Sequence, residues 1–175
     1  PSDFTTSLAS LGEGHQVDQR IASDLRKMLE DGKRAGCDIL IVSSFRTMEQ
    51  QTRLYERKVE QMRSQGYSQE RAVEEAGKIV APPGTSEHQL GLAVDLADAG
   101  YTTLDERQEQ TAGYQWLVRH CAEYGFILRY PTDKTEETGI IFEPWHYRYV
   151  GEKAAKEIME QGICLEEYLD RVQKD

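Results

Sequence analysis

"TSEHQLGLAVDLAD", residues 85–98, sets a histidine and an aspartate seven positions apart among small and apolar side chains. Its second half alternates as a strand, with Ala93 and Asp95 facing one way and Leu92, Val94 and Leu96 the other. On an unbroken strand an odd spacing would point His88 and Asp95 to opposite faces. Gly91 lies between them and permits a bend. His88 can then sit on an incoming loop while Asp95 projects from the strand toward the same point. "FEPWHYRYVG", residues 142–151, poses the same problem with Glu143 and His146, three apart and again opposed on a regular strand. Pro144 breaks that regularity and lets both turn inward. Both interruptions fall where shared chemistry would need them.

The rest of the chain places these segments in a fold. "VDQRIASDLRKMLEDGKRAG", residues 17–36, puts Ile21, Leu25, Met28 and Leu29 on one helical face before a glycine stop. "DILIVSSF", residues 38–45, reads as a buried strand. Thr47 and Gln50 form a capping box for a helix through "TRLYERKVEQMRSQ". Gly66 ends it, Ser68 caps the next, and "RAVEEAGKIV" carries that helix to "APPG", whose prolines forbid continuation. "AGYQWLVRHCAEYG" reads as a helix ending at Gly125, "FILRY" as a short strand and "PTDKTEETG" as a polar loop. "IIFEPWHYRYV" reads as a strand interrupted by Pro144, and Lys153–Val172 as two short helices broken at Gly162. Strands and helices alternate irregularly, which predicts α+β: a small antiparallel sheet flanked by helices, with the metal site at the sheet. No repeat or linker divides the chain, so residues 1–175 read as one domain with an N-terminal extension over 1–17.

Composition narrows the function. A chain of 175 residues with 38% hydrophobic and 30% charged residues can bury a proper core and is not disordered. No apolar run approaches the roughly 20 residues of a membrane helix, and no signal-peptide pattern opens the chain. The abrupt start at Pro1 leads us to expect a signal or anchor upstream. Lys and Arg number 21 against 31 Asp and Glu, a net charge of -10 that repels nucleic acid and anionic lipid. Cys37, Cys121 and Cys164 show no CxxC spacing and read as ordinary small apolar residues.

Two imidazoles and one carboxylate make a common catalytic zinc set that keeps a fourth position for water. Zinc lowers the pKa of water toward about 7 and polarises carbonyls, and a carboxylate that is not a ligand, here Glu143, is placed to take the proton. Taken singly, each residue has a bland reading: a hydrogen-bonded core histidine, a turn-capping aspartate, a solvated glutamate.

Three motifs together are more specific. Ser86, His88, Gly91, Ala93 and Asp95 complete S-x-H-x-x-G-x-A-x-D; Glu143, Trp145 and His146 complete E-x-W-H; "SSFRT", residues 43–47, fits S-x-[FY]-R-[ST]. In these motifs the chain resembles the VanY-type zinc D-Ala-D-Ala carboxypeptidases, relatives of the VanX dipeptidases and bifunctional VanXY enzymes, from about residue 35 to 170. The resemblance implies zinc held by His88, Asp95 and His146, Glu143 as catalytic base, and Arg46 stabilising the oxyanion. It also implies a substrate contact at Ser86. Otherwise Arg46 would read as a surface ion pair, Ser86 as a turn hydroxyl bonded to its own backbone, and Trp145 reads as packing behind the ligands. Gln51, one turn into the helix after Arg46, faces the same region and is a further candidate for substrate contact. His15, in a polar stretch, and His120, within a helix, are left out of the site.

The implied reaction removes the C-terminal D-Ala from peptidoglycan stem peptides or precursors, performed by a monomer. The location expected is outside the cytoplasmic membrane, anchored or secreted, with a cytoplasmic site as the alternative; wall trimming and glycopeptide resistance are both open. D,D-dipeptidase, dual-function and L,D-carboxypeptidase activities are the enzymatic alternatives, and a non-catalytic zinc module is the other class. Glu143 and Arg46 argue against that module, since metal binding alone requires neither.

Overall fold

The computed structural model describes residues 6–174. A hairpin comes first, β1 (Leu8–Gly12) against β2 (His15–Asp18), followed by α1 (Gln19–Arg34) and β3 (Ile39–Ser43). Next come α2 (Met48–Ser64), α3 (Gln69–Gly77), a 3₁₀ turn at Glu87–Leu90 and β4 (Ala93–Asp98). After a second 3₁₀ turn the chain forms α4 (Ala112–His120), β5 (Phe126–Leu128), the short α5 (Thr135–Thr138) and β6 (His146–Tyr149). It ends in α6 (Glu152–Gln161) and α7 (Leu165–Val172). The main sheet is antiparallel throughout, in the order β3-β4-β6-β5. This is the expected α+β architecture.

Alternation along the central strands sorts residues between two faces. Val94, Leu96, Tyr147 and Phe126 enter the main core, where α1 contributes Ile21, Leu25 and Met28 and α4 contributes Trp116 and Leu117. Each large apolar side chain sealed there contributes roughly 1.5–3 kcal/mol. Asp18 caps α1, its Oδ1 accepting from Arg20 N at 2.9 Å, while Lys33 and Arg34 suit the negative end of the helix. The opposite face carries Ala93, Asp95 and His146. At its β5 end, Ile127 packs with Ala155 and Ile158 of α6 in a second, smaller core.

The expected capping box opens α2: Thr47 Oγ1 accepts from Gln50 N at 3.2 Å, and Gln50 Oε1 accepts from Thr47 N at 2.8 Å. Of α2 only Gln51 is buried, because the helix packs chiefly on α3. The pair forms a helical hairpin standing beside the site face.

Several boundaries differ from the sequence reading. Strand character over 38–45 shrinks to Ile39–Ser43, and α3 stops at Gly77 rather than Val80. The polar loop 131–139 contains the one-turn α5. Residues 140–145 form no strand, since Pro144 removes a ladder donor and strand geometry resumes only at His146. Within the expected N-terminal extension, residues 8–18 pair as a hairpin and residues 1–5 lie outside the described ones. All three cysteines are free thiols. Among the described residues, no helix is long and apolar enough to cross a membrane.

Candidate active site

Strand register brings the site together. Asp95 stands directly opposite His146 in the β4–β6 ladder and opposite Ser43 in the β3–β4 ladder. Directly opposed residues share a face with their Cβ atoms roughly 5 Å apart. His88 arrives from the 3₁₀ turn, which Gly91 closes in the left-handed region at φ 68°. A Cβ on Gly91 would lie 2.7 Å from the backbone nitrogen of Asp18, so the position excludes any larger residue. Glu143 turns inward because His146 N donates to its carbonyl at 3.1 Å, a turn rather than a strand.

His88 Nε2 lies 3.2 Å from Asp95 Oδ1, and His146 Nδ1 lies 3.2 Å from the same oxygen. Donor atoms of the three residues all fall within 4.8 Å of one another, and all three side chains are buried. Among the described residues, His88 Nε2 and Asp95 Oδ1 nevertheless make no aligned hydrogen bond. Buried polar atoms without partners are uncommon, and two aimed at one point fit a cation. The distal nitrogens favour the tautomers that a bound metal would require. His88 Nδ1 meets the carbonyl oxygen of Ser44 at 2.8 Å, an acceptor only, so it carries the proton and Nε2 offers its lone pair. His146 Nε2 faces Glu87 Oε2 at 3.4 Å, leaving Nδ1 for the centre. Two nitrogens and one carboxylate oxygen match a zinc set in donor type and number.

The charges are strongly coupled. Burial pushes His88 below the ordinary imidazole value, favouring the neutral form a metal needs. Burial alone would raise Asp95, but the two flanking imidazoles hold it well below the usual carboxylate range. Burial opposes the cationic form of His146, yet Asp95 and Glu87 outweigh it and raise the group to about 9. Glu143 is raised to about 7, first by burial, with Asp95 and Glu87 adding to it against His146 and Arg46. A carboxyl tuned near neutrality beside a candidate metal site is placed for proton transfer.

Arg46 is no surface ion pair. Its side chain is 18% exposed and bonds Asp95 Oδ2 at 3.2 Å, Gln51 Oε1 at 2.7 Å and Ser43 Oγ at 3.1 Å. Those bonds engage three of its five N–H donors and leave two where it lines the cleft. Gln51 is fully buried, donates its amide to Ala81 O at 2.7 Å and braces Arg46; it does not line the cleft. Ser86 lines the cleft, and its hydroxyl makes no cap bond to the turn that follows. Trp145 is half-buried and forms part of the cleft wall rather than packing behind the ligands. His15 reaches Ser44 Oγ at 3.2 Å, and His120 pairs with Glu123 at 2.8 Å; neither joins the cluster. The cleft holds about 340 Å³, and Leu54 and Lys58 of α2 with Ile79 and Val80 after α3 make one wall.

Sequence reasoning missed what stands behind His146. Glu87 Oε1 accepts from Arg129 Nε at 2.8 Å and lies 3.2 Å from Arg148; Arg129 in turn grips Glu166 at 2.8 and 2.5 Å. Strand alternation could have found Arg148, two residues after His146 and therefore on the same face. No periodicity points to Glu87, in a turn, or to Arg129, just past β5.

Known proteins share this fold. The family model described as D-alanyl-D-alanine carboxypeptidase matches residues 14–152, a span that includes every site residue above except Glu166. A D-alanyl-D-alanine carboxypeptidase of Enterococcus faecalis is 44% identical over 171 residues, covering 97% of this chain and 62% of that protein. This chain thus spans less than two thirds of that relative's length. Among solved structures, VanYB in complex with D-alanine-D-alanine superposes with a TM-score of 0.89 at 42% identity, covering 97% of this chain and 91% of that one. A D,D-pentapeptidase VanY from a VanB-type vancomycin resistance cassette, in complex with Zn(II), gives 0.87 at 42% identity, covering 97% and 92%. On the matched family model and these identities, the chain belongs to the VanY D-alanyl-D-alanine carboxypeptidase family.

Proposed function

We propose that this chain is a zinc-dependent D,D-carboxypeptidase that removes the terminal D-Ala from peptidoglycan peptides, acting as a monomer outside the cytoplasmic membrane. One observation carries the reading: the partnerless, buried Nε2 of His88 and Oδ1 of Asp95 converge with His146 Nδ1 beside a carboxyl raised to about 7. His88, Asp95 and His146 would hold the zinc, which supplies Lewis acidity, polarising the scissile carbonyl and readying water for attack near neutral pH.

The chain's own residues do the rest. Glu143 Oε2 lies 3.5 Å from His146 Nδ1, within reach of the same centre without joining the ligand cluster. It accepts a proton from the attacking water as the new C–O bond forms, then returns that proton to the departing D-Ala nitrogen as the C–N bond breaks. Arg46 directs its two uncommitted N–H donors at the oxygen on which negative charge develops, and Gln51 and Ser43 keep the guanidinium from rotating away. Ser86 offers its hydroxyl to the peptide beside the metal. A cleft of about 340 Å³ is at the small end for a ligand site, sized for the end of a peptide rather than a whole stem.

Release of D-alanine from a pentapeptide ending in D-Ala-D-Ala, compared with free D-Ala-D-Ala, tests this reading on zinc-loaded and chelator-stripped protein. The expected result is zinc-dependent release with the pentapeptide preferred. Equal turnover of the dipeptide would make the enzyme dual-functional, and no release from either by zinc-loaded protein would refute the reading.

A further inference from the structure

His146 is the end of a chain of alternating charges, buried at His146 and Arg129 and 36% exposed at the Glu166 side chain, that reaches the last helix. Its Nε2 faces Glu87 Oε2 at 3.4 Å. The other oxygen of Glu87 is held by Arg129 at 2.8 Å and Arg148 at 3.2 Å. Arg129, 8% exposed in its side chain, spends its remaining nitrogens on both carboxylate oxygens of Glu166 in α7. The Tyr130 ring lies against this line, 4.8 Å from the Arg129 guanidinium and tilted 49° to the His146 ring at 4.9 Å. Removing one partner of the buried Arg129 leaves part of its charge uncompensated, so Glu87 and Glu166 depend on each other through it.

We propose that Glu87, Arg129 and Glu166 are positioning residues for the metal, a relay by which helix α7 orients His146 and sets zinc affinity. The inference rests on the zinc reading above but not on the identity of the substrate. Its chemistry is specific. With two guanidinium groups that only donate on its far oxygen, the Glu87 carboxylate faces His146 as an acceptor, so it requires the proton of His146 on Nε2 and leaves Nδ1 free to ligate; a carboxylate there also makes the imidazole a stronger donor to the metal. Glutamine at position 87 cannot satisfy both sides. If its NH₂ faces the arginines, donors oppose donors. If its NH₂ faces His146, the ring must move its proton to Nδ1, the tautomer that cannot bind metal at the centre.

The test is zinc affinity, measured by competition with a chromophoric chelator on the full chain, with the Co(II) absorption spectrum reporting ligand geometry. Glu87→Gln should bind zinc 10- to 100-fold more weakly with a changed Co(II) spectrum. Glu166→Gln, two bonds further out, should show a smaller loss in the same direction. Lys134→Gln is the control: it cuts the 3.0 Å tie from Lys134 to Glu167, which also anchors α7, without touching Arg129, and should leave affinity unchanged. Affinity of Glu87→Gln within about threefold of wild type overturns the proposal. So does an equal loss in Lys134→Gln and Glu166→Gln, which would mean that any loosening of α7 suffices. Should Glu87→Gln fail to fold, the pair Glu166→Gln and Lys134→Gln decides alone. Absence of D-Ala release by the zinc-loaded wild type would refute the proposed reaction and leave this result standing.

Discussion

His88 and His146 flank the same aspartate, yet the protein holds them by opposite means. His88 is braced by one neutral acceptor, the Ser44 carbonyl at 2.8 Å, on a turn made possible by Gly91. Ser44 is itself steadied by the N-terminal hairpin, since Gln16 N donates to its hydroxyl at 3.2 Å and Phe45 N donates to Gln16 O at 2.8 Å. His146 is braced instead by a carboxylate with two arginines behind it. Backbone support fixes direction without adding charge and is insensitive to pH and salt. Ionic support adds electron density to the ligand but holds only while every buried partner stays in place.

Deleting either ring should have the largest effect. His88→Ala and His146→Ala should each lose zinc to near background in metal analysis and with it all turnover. The two should differ in the metal-free protein. Both variants leave Asp95 with one imidazole fewer; His146→Ala keeps Glu87 paired with two arginines, whereas His88→Ala also leaves the Ser44 carbonyl without its donor. A metal-free melt should therefore place His88→Ala below His146→Ala; the reverse order would mean that the ionic side is the more fragile.

Glu143→Ala separates chemistry from metal holding. Turnover should fall by roughly 100- to 10,000-fold while zinc stays at one equivalent. The base works deprotonated, so wild-type activity rises with pH through the Glu143 value, about 7 before a divalent cation beside it lowers that figure. That acidic limb should vanish in Glu143→Ala. Loss of zinc, or near wild-type turnover, would remove Glu143 from the role.

On the Asp95 side, Arg46→Ala should slow turnover by roughly 100- to 1,000-fold through lost oxyanion stabilisation and keep the acidic limb. A limb moved to markedly higher pH in Arg46→Ala would show that Arg46 acts by tuning Glu143, whose carboxyl its charge holds down. The mildest probe is Gly91→Ala. Its backbone is left-handed and the added Cβ would press on the nitrogen of Asp18 at 2.7 Å, so a loss of more than about 1 kcal/mol is expected in chemical denaturation. Zinc binding should weaken with it, because the turn carries His88. An unchanged midpoint would mean that the turn yields freely.

Much of this was legible without a fold. Alternation in "LAVDLA" put Asp95 on the face away from Val94 and Leu96, and the structure buries those two in the core while Asp95 enters the site. Gly91 and Pro144 marked the two interruptions, and both are turns that aim a side chain inward. Thr47 and Gln50 announced the start of α2 from their spacing alone. Gln51 was harder. Its place on the helix predicted proximity to Arg46, and it is indeed bonded to it, but only packing shows that it is sealed beneath the guanidinium rather than open to the cleft.

Short stretches of the chain carry the local geometry and the donor set: which residues turn, which alternate, and which imidazoles and carboxylates are candidates to meet. Tertiary structure alone decided the partners. Asp95 faces His146 because β4 lies beside β6, Ser44 supports His88 because the hairpin packs behind it, and Glu166 reaches Arg129 from 37 residues away. Periodicity records a residue's own φ and ψ and the face it occupies, which depend on near neighbours. Contact between distant segments depends on register and close packing summed over the whole chain, and no short stretch carries that sum.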